Sequence, residues 1–444
     1  MSGIAGIAHP GKQSEVKIML NKIAHRGHNA EIIETASVTL GGTWPNSQFS
    51  DTKDLIHLSA AWDNPSDGHF ALVRGNDLLL KRGTLGVAPL YYGWTNAGLL
   101  CFASEVKGLL ELTREVHELP PGHTFDGKRL RAYFKLQKLP SLKESPGVIS
   151  QELFRKLETA IEKSENRGNL GAWLSGGLDS SVLAALACRY SQPFHTFTAG
   201  LPGAPDVTYA QIVAEFIRSE HHVLIVQTQD LLTVLPEVIY HLESFDAWLV
   251  RSSIMNYLVA RIASDYVPEV VSGEGGDELF AGYDYLKLLN PANLLDELID
   301  ITSRLHNTAL QRVDRCASAH GTVAHVVFLD PDVVDYALRI PVEYKLHDGV
   351  EKWILRQVAA DILPESIVNR PKAKFWQGAG VEDLLAQYAE QKISVSDFSQ
   401  ERYLPNGWLL NTKEELLYYR IYREYFGEFD DLSWMGRTKG SPVQ

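Results

Sequence analysis

Residues Ser175-Gly176-Gly177-Leu178-Asp179-Ser180-Ser181 constrain the fold of this chain more than any other stretch. Gly171-Ala172-Trp173-Leu174 before them reads as the end of a buried strand, and Val182-Leu183-Ala184-Ala185-Leu186-Ala187 after them as a helix. A Gly-rich turn between a strand and a helix N-terminus is a phosphate site, because free backbone N–H groups and the positive helix end both face an anion. Paired glycines let the backbone come close, and the serine hydroxyls add donors. No Gly-Lys-Ser/Thr closes the loop, so it is not a Walker A motif. The plain alternative is a Gly/Ser turn with a helix cap.

At 444 residues the chain has room for two or three domains, at roughly 100–200 residues each. Its formal net charge of −13 argues against general binding to nucleic acid or an anionic membrane. Cys101, Cys188 and Cys316 lack metal-ligand spacing and read as reduced thiols. No basic start leads into an apolar run, and no apolar stretch reaches membrane length. A cytoplasmic protein is the expectation.

Residues 1–133 carry short strand-like pieces, among them Gly3-Ile4-Ala5-Gly6-Ile7, His69-Phe70-Ala71-Leu72-Val73 and Leu78-Leu79-Leu80-Lys81, punctuated by Gly and Pro. Residues 134–147 are Lys- and Pro-rich and read as a linker. Over 148–444, helical periods alternate with short apolar strands such as Phe194 to Ala199 and Pro268 to Ser272, the pattern of a parallel α/β sheet. Ligands of such sheets bind beyond the C-terminal strand ends, so the loops at those ends form the expected active face.

Several strings in order carry a resemblance. They are Ser175 to Ser181, Gly200-Leu201-Pro202-Gly203-Ala204-Pro205-Asp206, Ser219-Glu220-His221-His222, His241-Leu242-Glu243-Ser244-Phe245-Asp246 and Val250-Arg251-Ser252-Ser253. They continue with Ser272-Gly273-Glu274-Gly275-Gly276-Asp277-Glu278-Leu279-Phe280-Ala281-Gly282-Tyr283, Phe328-Leu329-Asp330, Glu351-Lys352 and Arg370-Pro371-Lys372-Ala373-Lys374-Phe375. On these residues the chain resembles the asparagine synthetases of the glutamine-dependent, bacterial B type, weakly at the start and strongly from about residue 170 to 380. The resemblance implies an Ntn-hydrolase-like α-β-β-α sandwich followed by an adenine-nucleotide α-hydrolase-like parallel α/β domain with extra helices. It makes the glycine loop similar to the pyrophosphate loop of enzymes that cleave ATP between the α and β phosphates.

The roles divide accordingly. Ser175, Gly176, Gly177, Ser180 and Ser181 belong to the phosphate loop. Leu174, Ala199, Ser272 and Gly273 match positions lining an adenosine pocket, with ordinary core packing as the alternative for the first two. Asp179 and Asp277 are hard oxygen ligands suited to sharing Mg²⁺ with ATP phosphates, and the matching family aspartates do this; a helix cap and a surface charge are the alternatives. Lys372 matches a family lysine that stabilises the charge developing at the α-phosphate and acyl group, against a solvated lysine run. Glu274 matches a glutamate placed to accept a proton from an attacking amine, or it caps a helix. Arg251, suited to bidentate carboxylate binding, matches a position tied to the acidic substrate, against a surface ion pair. Glu278 joins it as a substrate-binding candidate.

The resemblance breaks in the first half. Ser2 stands where the family's glutaminase has its N-terminal Cys nucleophile, and serine is the poorer nucleophile near neutral pH. Only Gly41-Gly42-Thr43-Trp44-Pro45-Asn46-Ser47 occupies the stretch of the Asn-Gly-Glu-Ile-Tyr-Asn segment that holds glutamine, and Arg82-Gly83-Thr84 replaces the usual Arg-Asp. The expectation is a degenerate glutaminase that keeps its fold. In the second half, Val323, His325 and Val327 replace the Glu, Arg and Pro expected before Phe328.

The reading is an ATP- and Mg²⁺-dependent amide ligase that adenylates a carboxylate, foremost the β-carboxylate of aspartate, and passes it to ammonia or an amine. The expected partners are small molecules and a separate ammonia-supplying protein, with a homodimer compatible. The alternatives are a specialised-metabolite amide synthetase or cyclase of β-lactam-synthetase style, and a nucleotide-binding pseudoenzyme.

Overall fold

A computed structural model describes residues 2–45, 57–59, 69–74, 77–164, 169–371 and 384–438. The first part of the chain builds two antiparallel sheets. One has six strands and includes Gly3–Ile7, Thr39–Trp44, Tyr91–Trp94 and Leu100–Ala103; the other has five and includes Asp77–Arg82 and His123–Phe125. Ile4, Leu40, Tyr92 and Phe102 of the first sheet share one buried core with Leu80 and Phe125 of the second. The helix Gln13–Lys22 covers the outer face of the first sheet, burying Val16, Met19 and Leu20 at a helical spacing. From 133 to 145 the chain has no helix or strand.

The rest of the chain centres on a five-stranded sheet in the order Glu220–Ile225, His195–Gly200, Leu170–Trp173, Glu269–Val271, Val323–His325. Every neighbouring pair is parallel. Covered strands of this kind are apolar on both faces, and Leu170–Trp173 is buried along its whole length. The helix Leu178–Ala187 is likewise buried at every position, as a run of Leu, Val and Ala allows. The first strand in the chain lies central. The next two pair on one side of it and the last two on the other, so the order reverses between Leu170–Trp173 and Glu269–Val271. Crevices at such reversals are where open α/β sheets bind ligands. The loops leaving these two strands are Leu174 to Gly177 and Ser272 to Gly275.

A charged network beneath the surface ties the two parts of the chain together. Arg26 donates to Asp314 at 2.7 and 2.9 Å and to Glu105 at 2.6 Å. Arg315 lies 2.9 Å from Glu105 and 3.0 Å from Glu243. Glu243 in turn accepts the backbone N–H groups of Val106 and Lys107 at 3.0 and 2.7 Å. Arg26, Glu105 and Glu243 are 0 % exposed and Arg315 1 %, so each charge depends on the others for its counter-ion. Burial alone would raise the Glu105 carboxyl, but Arg315, His25 and Lys107 outweigh it and hold it well below the ordinary value.

Candidate active site

A cavity of about 680 Å³ opens at the reversal of strand order. Leu174, Ser175, Gly177, Asp179, Ser180, Ala199, Ser272, Gly273, Glu274, Asp277 and Glu278 line it. The glycine loop forms its floor. Gly176 has φ +68°, and a Cβ there would sit 2.4 Å from the Ala210 backbone nitrogen, so only glycine makes this turn. Ser180 Oγ accepts from Ser175 N at 3.2 Å and donates to Gly177 O at 3.2 Å, closing the loop on itself. No side chain caps the helix Leu178–Ala187, which leaves its first-turn N–H groups open to an anion. Gly273 brings the neighbouring loop against this turn: a Cβ on it would lie 2.9 Å from Ser180 N. Gly176 and Ser181 stand behind the lining, and Ser181 is fully buried.

Asp179 and Asp277 face each other from the two loops, and Lys352 joins them. Its Nζ lies 2.6 Å from Asp277 Oδ1 and also bonds Asp179. Lys352 is 2 % exposed and takes a left-handed conformation, φ 55°, as it leads into the helix Trp353–Ala359. Asp179 Oδ1 is buried with no hydrogen-bond partner among the described residues. Two facing carboxylates, one with an orphaned oxygen, form an oxygen donor set that fits Mg²⁺.

Glu274 meets Arg312 at 2.5 Å between Oε2 and Nη2. Arg312 comes from the helix Ala309–Ser318, which also supplies Asp314 and Arg315 to the buried network. Glu278 is 3 % exposed and accepts from the Tyr283 hydroxyl. Burial, then the charges of Asp277 and Glu274, raise its carboxyl to about 7. Arg370 borders the cavity, donates to Ser175 O at 3.2 Å, pairs with Asp206 and stacks 4.0 Å over the Tyr209 ring. It thereby fixes the start of the segment that leads to Lys372, which itself lies outside the described residues.

Arg251 stands apart from this group. It is absent from the cavity lining, and Nε donates to Glu414 Oε1 at 2.6 Å. The pair is partly buried, with Glu414 2 % exposed, so it is not the surface ion pair of the alternative. Of the residues replaced near Phe328, Val323 packs with Ala88, and His325 lies 2.9 Å from Glu269. Neither lines the cavity.

Lys352, Arg312 and Asp206 are among the polar groups here with no role assigned from sequence. Lys352 and Asp206 stand inside strings that carry the family resemblance, which was the available signal. Arg312 left none, being one arginine on an amphipathic helix.

A glycine loop for phosphate, an oxygen pair for a divalent ion and a carboxylate beside them suit the activation of an acid by a nucleotide. Residues 152–298 and 296–435 match the family model for asparagine synthase. The glutamine-hydrolyzing asparagine synthetase 3 of Arabidopsis thaliana is 33% identical over 414 residues, 85% of this chain and 71% of the relative. The glutamine-hydrolyzing asparagine synthetase B of Escherichia coli strain K12 is 32% identical over 405 residues, again 85% and 71%. A solved glutamine-dependent NAD+ synthetase from Acinetobacter baumannii, in complex with ADP, aligns at 16% identity over 75% of this chain and 55% of that one, with a TM-score of 0.26, too loose to carry an inference. The class is that of ATP-dependent carbon–nitrogen ligases. Within it, the chain belongs to the asparagine synthetase family. Among the described residues no helix is long and apolar enough to cross a membrane.

Proposed function

We propose that this chain, acting in the cytoplasm, adenylates a carboxylate with ATP and transfers the acyl group to free ammonia or an amine, without hydrolysing glutamine itself. The observation that carries the reading is the joining of the uncapped glycine loop, the Asp179–Asp277 pair and Glu274 in one cavity at the switch in strand order. The loop N–H groups hold the departing pyrophosphate. Asp179 and Asp277 would hold Mg²⁺, which supplies charge neutralisation at the phosphates when bound. Lys372 stabilises the charge that develops as the carboxylate attacks the α-phosphate, and losing such a donor costs ~10²–10³ in rate. Glu274 accepts the proton of the attacking nitrogen. Holding both reactants on one platform supplies their orientation.

The absence of glutamine hydrolysis is supported by two features. Ser2 replaces the thiol and is 3 % exposed, and its Oγ has no hydrogen-bond partner among the described residues. Arg82 spends its donors inside the fold, on Glu118, Leu119, Gly86 and Ala88, and is 0 % exposed. The ammonia then comes from solution or a separate protein.

Aspartate is the first candidate acid. One observation favours a different acid: the guanidinium suited to a second carboxylate, Arg251, is already paired with Glu414. ATP–pyrophosphate exchange with aspartate and a panel of carboxylates, with and without ammonium, tests both. Exchange with aspartate and asparagine formation on adding ammonium supports the first reading. Exchange with another acid alone supports the specialised ligase. Unchanged exchange in Lys372→Ala overturns the site, and glutamate release from glutamine overturns the lost glutaminase.

A further inference from the structure

The two strands at one edge of the parallel sheet place three metal-ligating side chains together, outside the cavity lining. His195 opens the strand His195–Gly200 and lies directly opposite Glu220, which opens the neighbouring strand Glu220–Ile225. Side chains two apart on a strand share a face, so His222 projects on the same side as Glu220. His195 Nδ1 lies 3.0 Å from His222 Nε2 and 3.5 Å from Glu220 Oε2. One ligand atom from each residue falls within 4.8 Å of the others.

We propose that His195, Glu220 and His222 form a binding site for a divalent transition metal of the zinc class. Donors about 2.0–2.1 Å from a tetrahedral ion stand roughly 3.3 Å apart, and the two measured separations bracket that value. Two imidazoles and one carboxylate suit Zn²⁺, Co²⁺ or Ni²⁺ and not the hard, oxygen-seeking Mg²⁺. The imidazoles are held in place before any ion arrives. Tyr266 packs on His222 at 3.8 Å between ring centroids, and His222 stacks on the buried Phe197 at 5.1 Å. The His195 side chain is 15 % exposed and that of Glu220 61 %, so the carboxylate faces solvent and gives the ion its way in. The site lies at the N-terminal ends of its strands. Phe197, on which His222 stacks, lines the cavity from its other side, so the cluster sits behind the cavity wall. Metal binding is read without nucleotide, so its outcome is separate from that of the proposed reaction.

The test is binding of Zn²⁺ and Co²⁺ to the full chain stripped of metal. One equivalent of Zn²⁺ by calorimetry is expected, with a visible Co²⁺ spectrum that Zn²⁺ displaces and millimolar Mg²⁺ does not. Removing one ligand by His222→Asn weakens binding by ~100-fold or more, at or beyond the loss known for supporting shells. Glu220→Gln, at an exposed position, does the same without threatening the fold. No binding at about 100 μM metal, or undiminished binding in the folded Glu220→Gln protein, overturns the site; the two rings then share only an N–H···N bond.

Discussion

Arg312 holds Glu274 through a 2.5 Å contact between guanidinium and carboxylate. The carboxylate proposed to take a proton is thus fixed by a cation rather than left to rotate in solvent. This sets its direction.

If Glu274 serves the nitrogen and not the nucleotide, Glu274→Gln separates two readouts. ATP–pyrophosphate exchange persists, while amide formation falls by ~10²–10⁴, the range for a lost general base. Equal loss of both would remove the proton-acceptor role. Arg312→Met moves in the same direction, because it frees the carboxylate.

Lys352 neutralises two facing carboxylates from a buried position. Lys352→Met leaves them repelling each other, and removing one partner from a buried ion group costs about 3–5 kcal/mol. Mg²⁺ restores part of that loss by binding the same oxygens. Thermal melts with and without Mg²⁺ check this: the Mg²⁺-induced rise is larger in the variant than in the parent. A smaller rise means the aspartates do not form the ion's donor set.

Glu278 makes stability depend on pH. Its carboxyl is raised from 4.5 to about 7 by burial and by Asp277 and Glu274. Between those values the folded chain keeps a proton that the unfolded chain has released. The group's contribution is whole below pH 4.5 and is lost as pH rises through 7. Glu278→Gln removes this dependence. Urea midpoints at about pH 5 and pH 8 therefore fall further in the parent than in the variant.

Asp314 accepts two hydrogen bonds from Arg26 across the join between the two parts of the chain. Asp314→Asn leaves Arg26 with a weaker partner in a buried site, for a loss of about 3 kcal/mol. Urea unfolding measures it, and a change under about 0.5 kcal/mol would mean the network carries no weight in the fold.

The glycine loop is legible in sequence because strand, turn and helix signals are contiguous there. The strand expected at Gly3 to Ile7 forms at those residues, and the one expected from Phe194 to Ala199 forms one residue later, as His195–Gly200. The cations were harder to read. Lys352 lies 173 positions from Asp179, and Arg312 lies 38 from Glu274. Only the folded sheet brings such pairs together, and a lone charge beside a helix looks like any solvated one. Arg251 shows the converse: a residue type suited to a carboxylate finds one inside its own chain, Glu414. The role given to Lys372 rests on its string alone.

The network around Arg26 also bears on why a half with Ser2 in place of the family's thiol persists. Severing the chain between 133 and 145 would strip Asp314, Arg315 and Glu243 of Arg26, Glu105 and Lys107, stranding charges that water does not reach. The amino-terminal half is a counter-ion to the synthetase half. Its removal would leave buried charges of the synthetase half without partners, whatever its own chemistry.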